Sequence, residues 1–120
     1  MTEKTITAYD DLEFAPLSEG NPVEAAFLWG NPETGPATFM VRIPAGYAEP
    51  FHSHTATYHA VLVKGDFQSR DPDNPDDATT YGPGAFMVQP GGGVHAEASA
   101  GEEVVALVRF DGPPDFVPAE

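Results

Sequence analysis

The sequence predicts an all-β fold, an antiparallel sandwich or barrel formed by a single domain. The chain has 120 residues, which is the size of one domain with one hydrophobic core. Its 13 Pro and 12 Gly residues interrupt regular structure so often that long helices are disfavoured. Between these interruptions, short runs rich in β-branched and aromatic residues recur, which is typical of strands joined by turns.

Five of these runs are the predicted strands, and turn signals that contain Gly or Pro separate nearly all of them. They are Ala25 to Trp29, Ala37 to Ile43, Tyr58 to Val63, Ala85 to Val88 and Val104 to Phe110. The segment 71–77 is acidic and carries two prolines, so it predicts a solvated loop. It does not fit an EF-hand calcium loop, which would need Gly where Asp76 stands. After Asp111 the sequence predicts an extended tail, with Phe116 and Val117 docked on the barrel or on a partner chain.

The charge of the chain argues against several classes of partner. Nineteen acidic and five basic side chains give a formal net charge of −14, which repels nucleic acid and anionic lipid. The sequence has no Cys, so a metal ion would have to be held by His, carboxylate, Tyr or backbone oxygen. The N-terminus does not read as a signal peptide, and no apolar run approaches the length of a membrane span, so we expect a cytoplasmic protein.

The histidines are the strongest sign of chemistry in the sequence. All four lie in two short stretches, with His52, His54 and His59 in the first and His95 in the second. Successive side chains of a strand point to opposite faces, so His52 and His54 project from the same face. A third imidazole from a neighbouring strand would complete a facial set of ligands and leave coordination positions open. By itself, a His-x-His pair is more often two surface histidines.

The residues around these histidines resemble the two sequence motifs of the cupin family. The first motif is Gly, five residues, His-x-His, three or four residues, Glu, six residues, Gly. The second is Gly, five residues, Pro-x-Gly, two residues, His, three residues, Asn. Eight of these ten positions agree, over residues 46–99: Gly46, His52, His54, Gly65, Gly84, Pro90, Gly92 and His95. Tyr58 and Ser99 stand where the family has Glu and Asn.

The resemblance implies a single-domain cupin over residues 1–120, a jelly-roll (double-stranded β-helix) barrel with motif 1 at 46–65 and motif 2 at 84–99. It also implies one divalent transition metal held by His52, His54 and His95, with Fe(II) favoured over Zn, Ni and Mn. We expect a metal-dependent enzyme, of dioxygenase, isomerase or lyase type, that acts on a small oxygenated organic acid or diketone. The alternative is a non-catalytic barrel that senses or stores a small ligand or metal. Homodimers are common in the family, and open sheet edges favour them.

The missing Glu of motif 1 leaves two alternatives for its position. Tyr58 takes that place if three residues are counted from His54, and His59 does if four are counted. A one-residue slip exchanges the two faces of a strand, so only one of them faces inward. We expect Tyr58 to face inward as the candidate catalytic group, with His59 as a fourth metal ligand in the alternative register. Three neutral imidazoles would leave the charge of the ion uncompensated and favour anionic ligands.

Further residues are candidates for the walls of the site. We expect Gln89, Phe51 and Phe86 to line the ligand pocket. Glu97 lies two residues after His95 and shares its face in an ideal strand, which makes it a candidate substitute for the missing carboxylate. An exposed charge near the end of the strand is the preferred interpretation of Glu97.

Overall fold

The computed structural model describes residues 3–119, and all the structural statements below refer to these residues. They form one short 3₁₀ turn, Tyr9–Asp11, and eleven strands. The strands are β1 Ala15–Pro16, β2 Glu24–Gly30, β3 Ala37–Ile43, β4 His52–Ser53, β5 Tyr58–Lys64, β6 Phe67–Arg70, β7 Thr80–Tyr81, β8 Phe86–Gln89, β9 Ala96–Ser99, β10 Val104–Phe110 and β11 Val117–Pro118. The predicted all-β fold is therefore confirmed. The described part of the chain has no helix that is long and apolar enough to cross a membrane.

The strands pair in three antiparallel sheets. The largest has six strands in the order β1-β2-β3-β10-β5-β8, the second has three in the order β7-β6-β9, and β11 pairs with β4. The five strands predicted from the sequence correspond to β2, β3, β5, β8 and β10, all of which lie in the six-stranded sheet. The other strands have two to four residues, and a periodic pattern is hard to see over so few positions.

Alternation along β5 defines the inner face of the six-stranded sheet. Tyr58, Ala60 and Leu62 are buried, whereas Val61 and Val63 are about two-fifths exposed. The buried side chains of β5 join two neighbouring apolar clusters. One cluster contains Ala25, Ala37, Phe39, Tyr58, Ala60, Val108 and Phe110, and the other contains Val23, Ile43, Leu62, Phe67 and Val104.

Glycines allow the loop after β8 to lie directly against the segment that carries two of the histidines. A Cβ atom on Gly91 would come within 2.4 Å of the Thr55 carbonyl oxygen, so only Gly permits this approach. Gly92 has φ +82° and donates its N–H to the carbonyl of His54 at 2.7 Å. These contacts bring the second sequence motif beside the first.

The acidic loop and the residues after β10 also have defined positions. Residues 71–76 are exposed, as the sequence predicts for a solvated loop. The residues after Asp111 return to the body of the fold, where β11 pairs with β4. Of the two predicted docking sites for Phe116 and Val117, the barrel of the same chain is therefore the one observed.

Candidate metal centre

An antiparallel bridge between the two motifs brings the histidines together. His52 and His95 lie opposite each other and exchange both backbone hydrogen bonds, with N···O distances of 2.9 and 2.8 Å. Side chains of directly opposed residues lie on the same face, so both imidazoles project to the same side, and His54 follows two residues after His52. One ring nitrogen from each of His52, His54 and His95 lies within 4.8 Å of the others.

Each of the three imidazoles has an oxygen atom close to its Nδ1 atom. His52 Nδ1 lies 2.7 Å from the carbonyl oxygen of Pro50, and His54 Nδ1 donates to the carbonyl oxygen of Asp115. His95 Nδ1 lies 2.5 Å from Glu97 Oε1. The ring is not aligned for a straight hydrogen bond with this oxygen. Two lone pairs cannot face each other at such a distance, however, so a proton lies between them.

With the Nδ1 atoms protonated, the Nε2 atoms carry the lone pairs that can bind a metal ion. His95 is 1% exposed, and its Nε2 has no hydrogen-bond partner among residues 3–119. A buried polar atom without a partner is costly, and coordination of an ion satisfies it. Burial lowers the pKa of His52 to about 4 and also lowers the pKa of His54, so both rings are neutral near pH 7. Neutral imidazoles are the form that binds metal, so the three residues fit a divalent transition metal.

Glu97 is buried beside these ligands, so the preferred interpretation of it as an exposed charge is wrong. Its side chain accepts hydrogen bonds from Tyr58 Oη at 3.0 Å and from Ser69 Oγ at 2.8 Å. Burial raises the pKa of Glu97, but the interactions with His95, Ser69 and Tyr58 outweigh it and hold the pKa below its usual value. Glu97 is therefore an ionised carboxylate on the Nδ1 side of His95. The pairing of β6 with β9 explains the position, because it sets Ser69 opposite Glu97.

The register of β5 distinguishes between Tyr58 and His59. Tyr58 is buried on the inner face, with its ring 5.4 Å from the His54 ring and 5.9 Å from the His95 ring. Burial, together with the charge of Glu97, raises the pKa of its hydroxyl group, which stays protonated. His59 points to the other face, where its ring stacks on Phe86 at 6.0 Å. The alternative register required His59 to join the other three histidines as a fourth ligand. The structure does not bring His59 to them.

A cavity of about 810 Å³ extends from His52 and His54 into the barrel. His52, His54, Tyr58 and Glu97 lie in its wall, and most of the rest is apolar. The apolar part includes Phe39, Val41, Leu62, Phe67, Val108 and Phe110.

The three residues predicted to line the ligand pocket lie outside this wall. Phe86 is 64% exposed, because it lies opposite the outward-facing Val61. The side chain of Gln89 donates to the carbonyl of Gly93 at 3.2 Å, and Phe51 is half-buried at the end of the β11–β4 pair. The structure therefore does not place Gln89, Phe51 or Phe86 in the cavity wall.

Glu49 is another acidic residue in the cavity wall, and the sequence analysis did not name it. Its N–H donates to the carbonyl of Glu97 at 2.9 Å, which holds the segment before His52 against β9. Burial, and then the charge of Glu97, raises the pKa of Glu49 to about 7. Its place inside the first motif, three residues before His52, is the signal that points to it.

The fold and the three-histidine site define a cupin, and the family comparison is more specific. Residues 2–114 match the family described as the ChrR cupin-like domain, so the chain belongs to that family. No curated protein is significantly similar to it in sequence.

Three solved structures illustrate the similarity of fold. An acetylacetone dioxygenase from Acinetobacter johnsonii is 22% identical, with 97% of this chain and 78% of that chain covered and a TM-score of 0.72. The polyketide cyclase RemF from Streptomyces resistomycificus is 13% identical, with 98% and 87% covered and a TM-score of 0.75. The complex of SigE with the anti-sigma ChrR from Rhodobacter sphaeroides matches at 20% identity, with 87% of this chain and 51% of that chain covered and a TM-score of 0.67.

Proposed function

We propose that this protein is a metal-dependent enzyme whose divalent ion is bound by the Nε2 atoms of His52, His54 and His95. One observation carries the proposal: the Nδ1 atoms of His52 and His54 bond to backbone carbonyls, His95 Nδ1 lies 2.5 Å from Glu97 Oε1, and the Nε2 atom of the buried His95 has no hydrogen-bond partner among the described residues. Partners of this kind fix the tautomer and orientation of metal-binding histidines. Fe(II) is the favoured ion, with Zn, Ni and Mn as alternatives, since imidazole suits several of these metals.

The charges around the histidines favour an anionic ligand. A divalent ion held by neutral imidazoles supplies a Lewis acid that polarises a bound oxygen and attracts oxyanions. Glu97 contributes a negative charge near His95, although its oxygen contacts Nδ1 and so lies outside the proposed ligand set. The immediate ligands therefore remain neutral, and a bound carboxylate or enolate would supply the negative charge that they lack.

The cavity supports a small substrate with an oxygenated end and an apolar body. Its volume of about 810 Å³ is in the usual range for small-molecule sites, and a largely apolar wall is typical of them. We infer a small oxygenated organic acid or a diketone, and dioxygenation as the favoured reaction. The similarity in fold to an acetylacetone dioxygenase supports this choice. Tyr58 is our candidate catalytic residue, because its protonated hydroxyl is in the wall and can orient a bound oxygen.

Metal analysis is the first test of the proposal. Protein purified without chelator should contain roughly one transition-metal ion per chain, as a single three-ligand site requires. His95→Ala should abolish metal binding and leave the far-ultraviolet circular dichroism unchanged. His59→Ala is the matched control, because His59 faces away from the site, and it should retain the metal. A wild-type protein that rejects added Fe, Mn, Ni and Zn would contradict the proposal.

Oxygen consumption tests the reaction itself. The Fe(II)-loaded protein should consume oxygen with at least one member of a panel of β-diketones and phenolic acids. A loaded protein that is inactive with the whole panel would favour the second candidate function, a non-catalytic sensor or storage barrel. Membership of the ChrR cupin-like family and the match to the complex with the anti-sigma ChrR support that alternative.

Two further expectations from the sequence belong to this proposal. We expect a homodimer, which is supported by the open edge of the six-stranded sheet at β8, where Phe86 and Val88 are 64% and 48% exposed. Light scattering during size-exclusion chromatography measures the oligomeric state, and a monomer at high concentration would contradict the expectation. A cytoplasmic location is also expected, and fractionation of the producing cells tests it.

A further inference from the structure

The residues that follow β10 pass over the candidate metal centre. We call residues 111–119 the strap. Its strand β11 pairs with β4, with Val117 opposite Ser53 and Pro118 opposite His52. The N–H of Ala119 donates to the carbonyl of Phe51 at 3.0 Å. The strap is therefore bonded along the same short strand that carries His52.

Asp115 of the strap contacts the segment around His54 in two ways. Its backbone carbonyl accepts the Nδ1–H of His54. Its carboxylate accepts the N–H of Thr55 at 2.8 Å and the hydroxyl of Thr55 at 2.5 Å. The hydrogen bonds to Thr55 hold Asp115 in place, and its carbonyl can then fix the tautomer and direction of the neighbouring imidazole.

Phe116 of the strap covers the other histidine of the pair. Its ring stacks on the His52 ring with 4.4 Å between centroids and 23° between planes. It also approaches the His54 ring edge-on at 6.4 Å. Pro114, Asp115 and Phe116 lie in the cavity wall, and Phe116 remains 47% exposed, so this contact is made where the cavity meets solvent.

The family match ends at residue 114, so Asp115 and Phe116 lie outside the part of the chain that the family pattern describes. We propose that the strap is a positioning element of the metal centre, in which Asp115 orients His54 and Phe116 orients His52. This inference rests on the proposed function, because it assumes that the histidines bind metal. Two ligands that are already held in one orientation lose less side-chain entropy when the ion binds, and the affinity rises accordingly.

The test compares two double variants of the full chain. Asp115→Ala/Phe116→Ala removes the bonds to Thr55 and the ring over His52. Asp77→Ala/Phe86→Ala is the matched control, because Asp77 likewise accepts the N–H of Thr79 and Phe86 likewise stacks on a histidine, His59. Zn²⁺ and Co²⁺ are the probes. Chelator competition gives the dissociation constants, and the visible absorption of bound Co²⁺ reports the ligand geometry.

We expect the strap variant to bind Zn²⁺ about 10- to 100-fold more weakly, the usual effect of removing outer partners of metal ligands. The Co²⁺ spectrum should shift as well, which a general loss of stability would not cause. The control variant should match the wild type in both measurements. A strap variant with wild-type affinity and spectrum would overturn this inference and leave the proposed function intact. A wild-type protein that binds neither ion would instead overturn the proposed function and this inference with it.

Conservative variants keep the test decisive if the double variant does not fold. Thr55→Val removes only the hydroxyl that donates to Asp115 and should weaken Zn²⁺ binding by a few-fold. Phe116→Tyr retains the stacked ring and should keep the wild-type affinity for Zn²⁺, whereas Phe116→Leu loses the ring and should bind Zn²⁺ more weakly. Equal affinities for Phe116→Tyr and Phe116→Leu, together with no effect of Thr55→Val, would contradict the positioning role.

Discussion

Replacement of Glu97 tests how the missing motif carboxylate is compensated. Glu97 is 6% exposed and serves three partners: the Tyr58 hydroxyl, the Ser69 hydroxyl and His95 Nδ1. Glu97→Ala leaves these donors without their acceptor. A buried donor without a partner costs about 1–3 kcal/mol. Ser69 is only half-buried and can reach water, and removal of a buried charge offsets part of the loss.

We therefore expect Glu97→Ala to lower the free energy of unfolding of the metal-free protein by about 2–4 kcal/mol. Metal affinity should fall by about 10- to 100-fold, because His95 loses the partner that fixes its tautomer. Glu97→Gln keeps an acceptor oxygen and most of the shape, so both effects should be smaller. Urea denaturation measures the stability, and chelator competition with Zn²⁺ measures the affinity.

Glu102→Ala is the control for these measurements, since Glu102 is an exposed residue between β9 and β10. It should change the stability by less than about 0.5 kcal/mol, as surface substitutions usually do. Our account of Glu97 would be refuted if Glu97→Ala matched this control in stability. It would also be refuted if Glu97→Ala bound Zn²⁺ as tightly as the wild type.

Four other substitutions test separate parts of the structure. The folded-state pKa of Glu49 is raised from 4.5 to about 7, so its contribution to stability is present below pH 4.5 and is lost as the pH rises through 7. Glu49→Gln should therefore match the metal-free wild type in acid and exceed it by about 1–3 kcal/mol above pH 7, and equal stability at both pH values would contradict the assignment. Gly65→Ala should destabilise by more than about 2 kcal/mol, because Gly65 has φ +80° and a Cβ atom there would lie 2.3 Å from the Glu103 carbonyl oxygen. Gly46→Ala, at φ +74° with open space around it, should cost only about 1 kcal/mol in the same denaturation experiment, and equal losses would show that the clash is unimportant. Tyr58→Phe should lower stability by about 1 kcal/mol through loss of its hydrogen bond to Glu97. In an active preparation, unchanged kcat and KM for Tyr58→Phe would remove Tyr58 as the catalytic candidate.

Much of the fold could be predicted from local pattern. The five runs of β-branched and aromatic residues became five of the six strands of one sheet, and four of those five strands have seven residues, which is long enough to alternate between two faces. The short strands escaped prediction, since β4 and β11 have only two residues each and their pairing depends on contacts distant in sequence. Propensity carries little information about a two-residue strand.

The contrast between local pattern and contacts distant in sequence also explains which site residues could be predicted. His52, His54 and His95 were found because the motifs fix their spacing, and the bridge between His52 and His95 brings them together. Asp115 was missed because 61 residues separate it from His54 and nothing in the local sequence links the two. Phe86 was misplaced, because its position between Gly84 and Pro90 of the second motif does not reveal which face of β8 it occupies.

The position of Glu97 changes the chemical meaning of the missing motif carboxylate. The family pattern places a Glu at position 58, where it would contribute negative charge to the metal ligands themselves. Here Tyr58 stands at that position and donates its hydroxyl to Glu97, which also contacts His95 Nδ1. The negative charge is retained within the barrel, but an imidazole lies between it and the proposed ion. If the three histidines hold the proposed ion, such a carboxylate would make His95 a stronger ligand and would leave open the coordination position that the Glu of the family motif takes. A bidentate oxyanion could then bind without displacing any protein ligand.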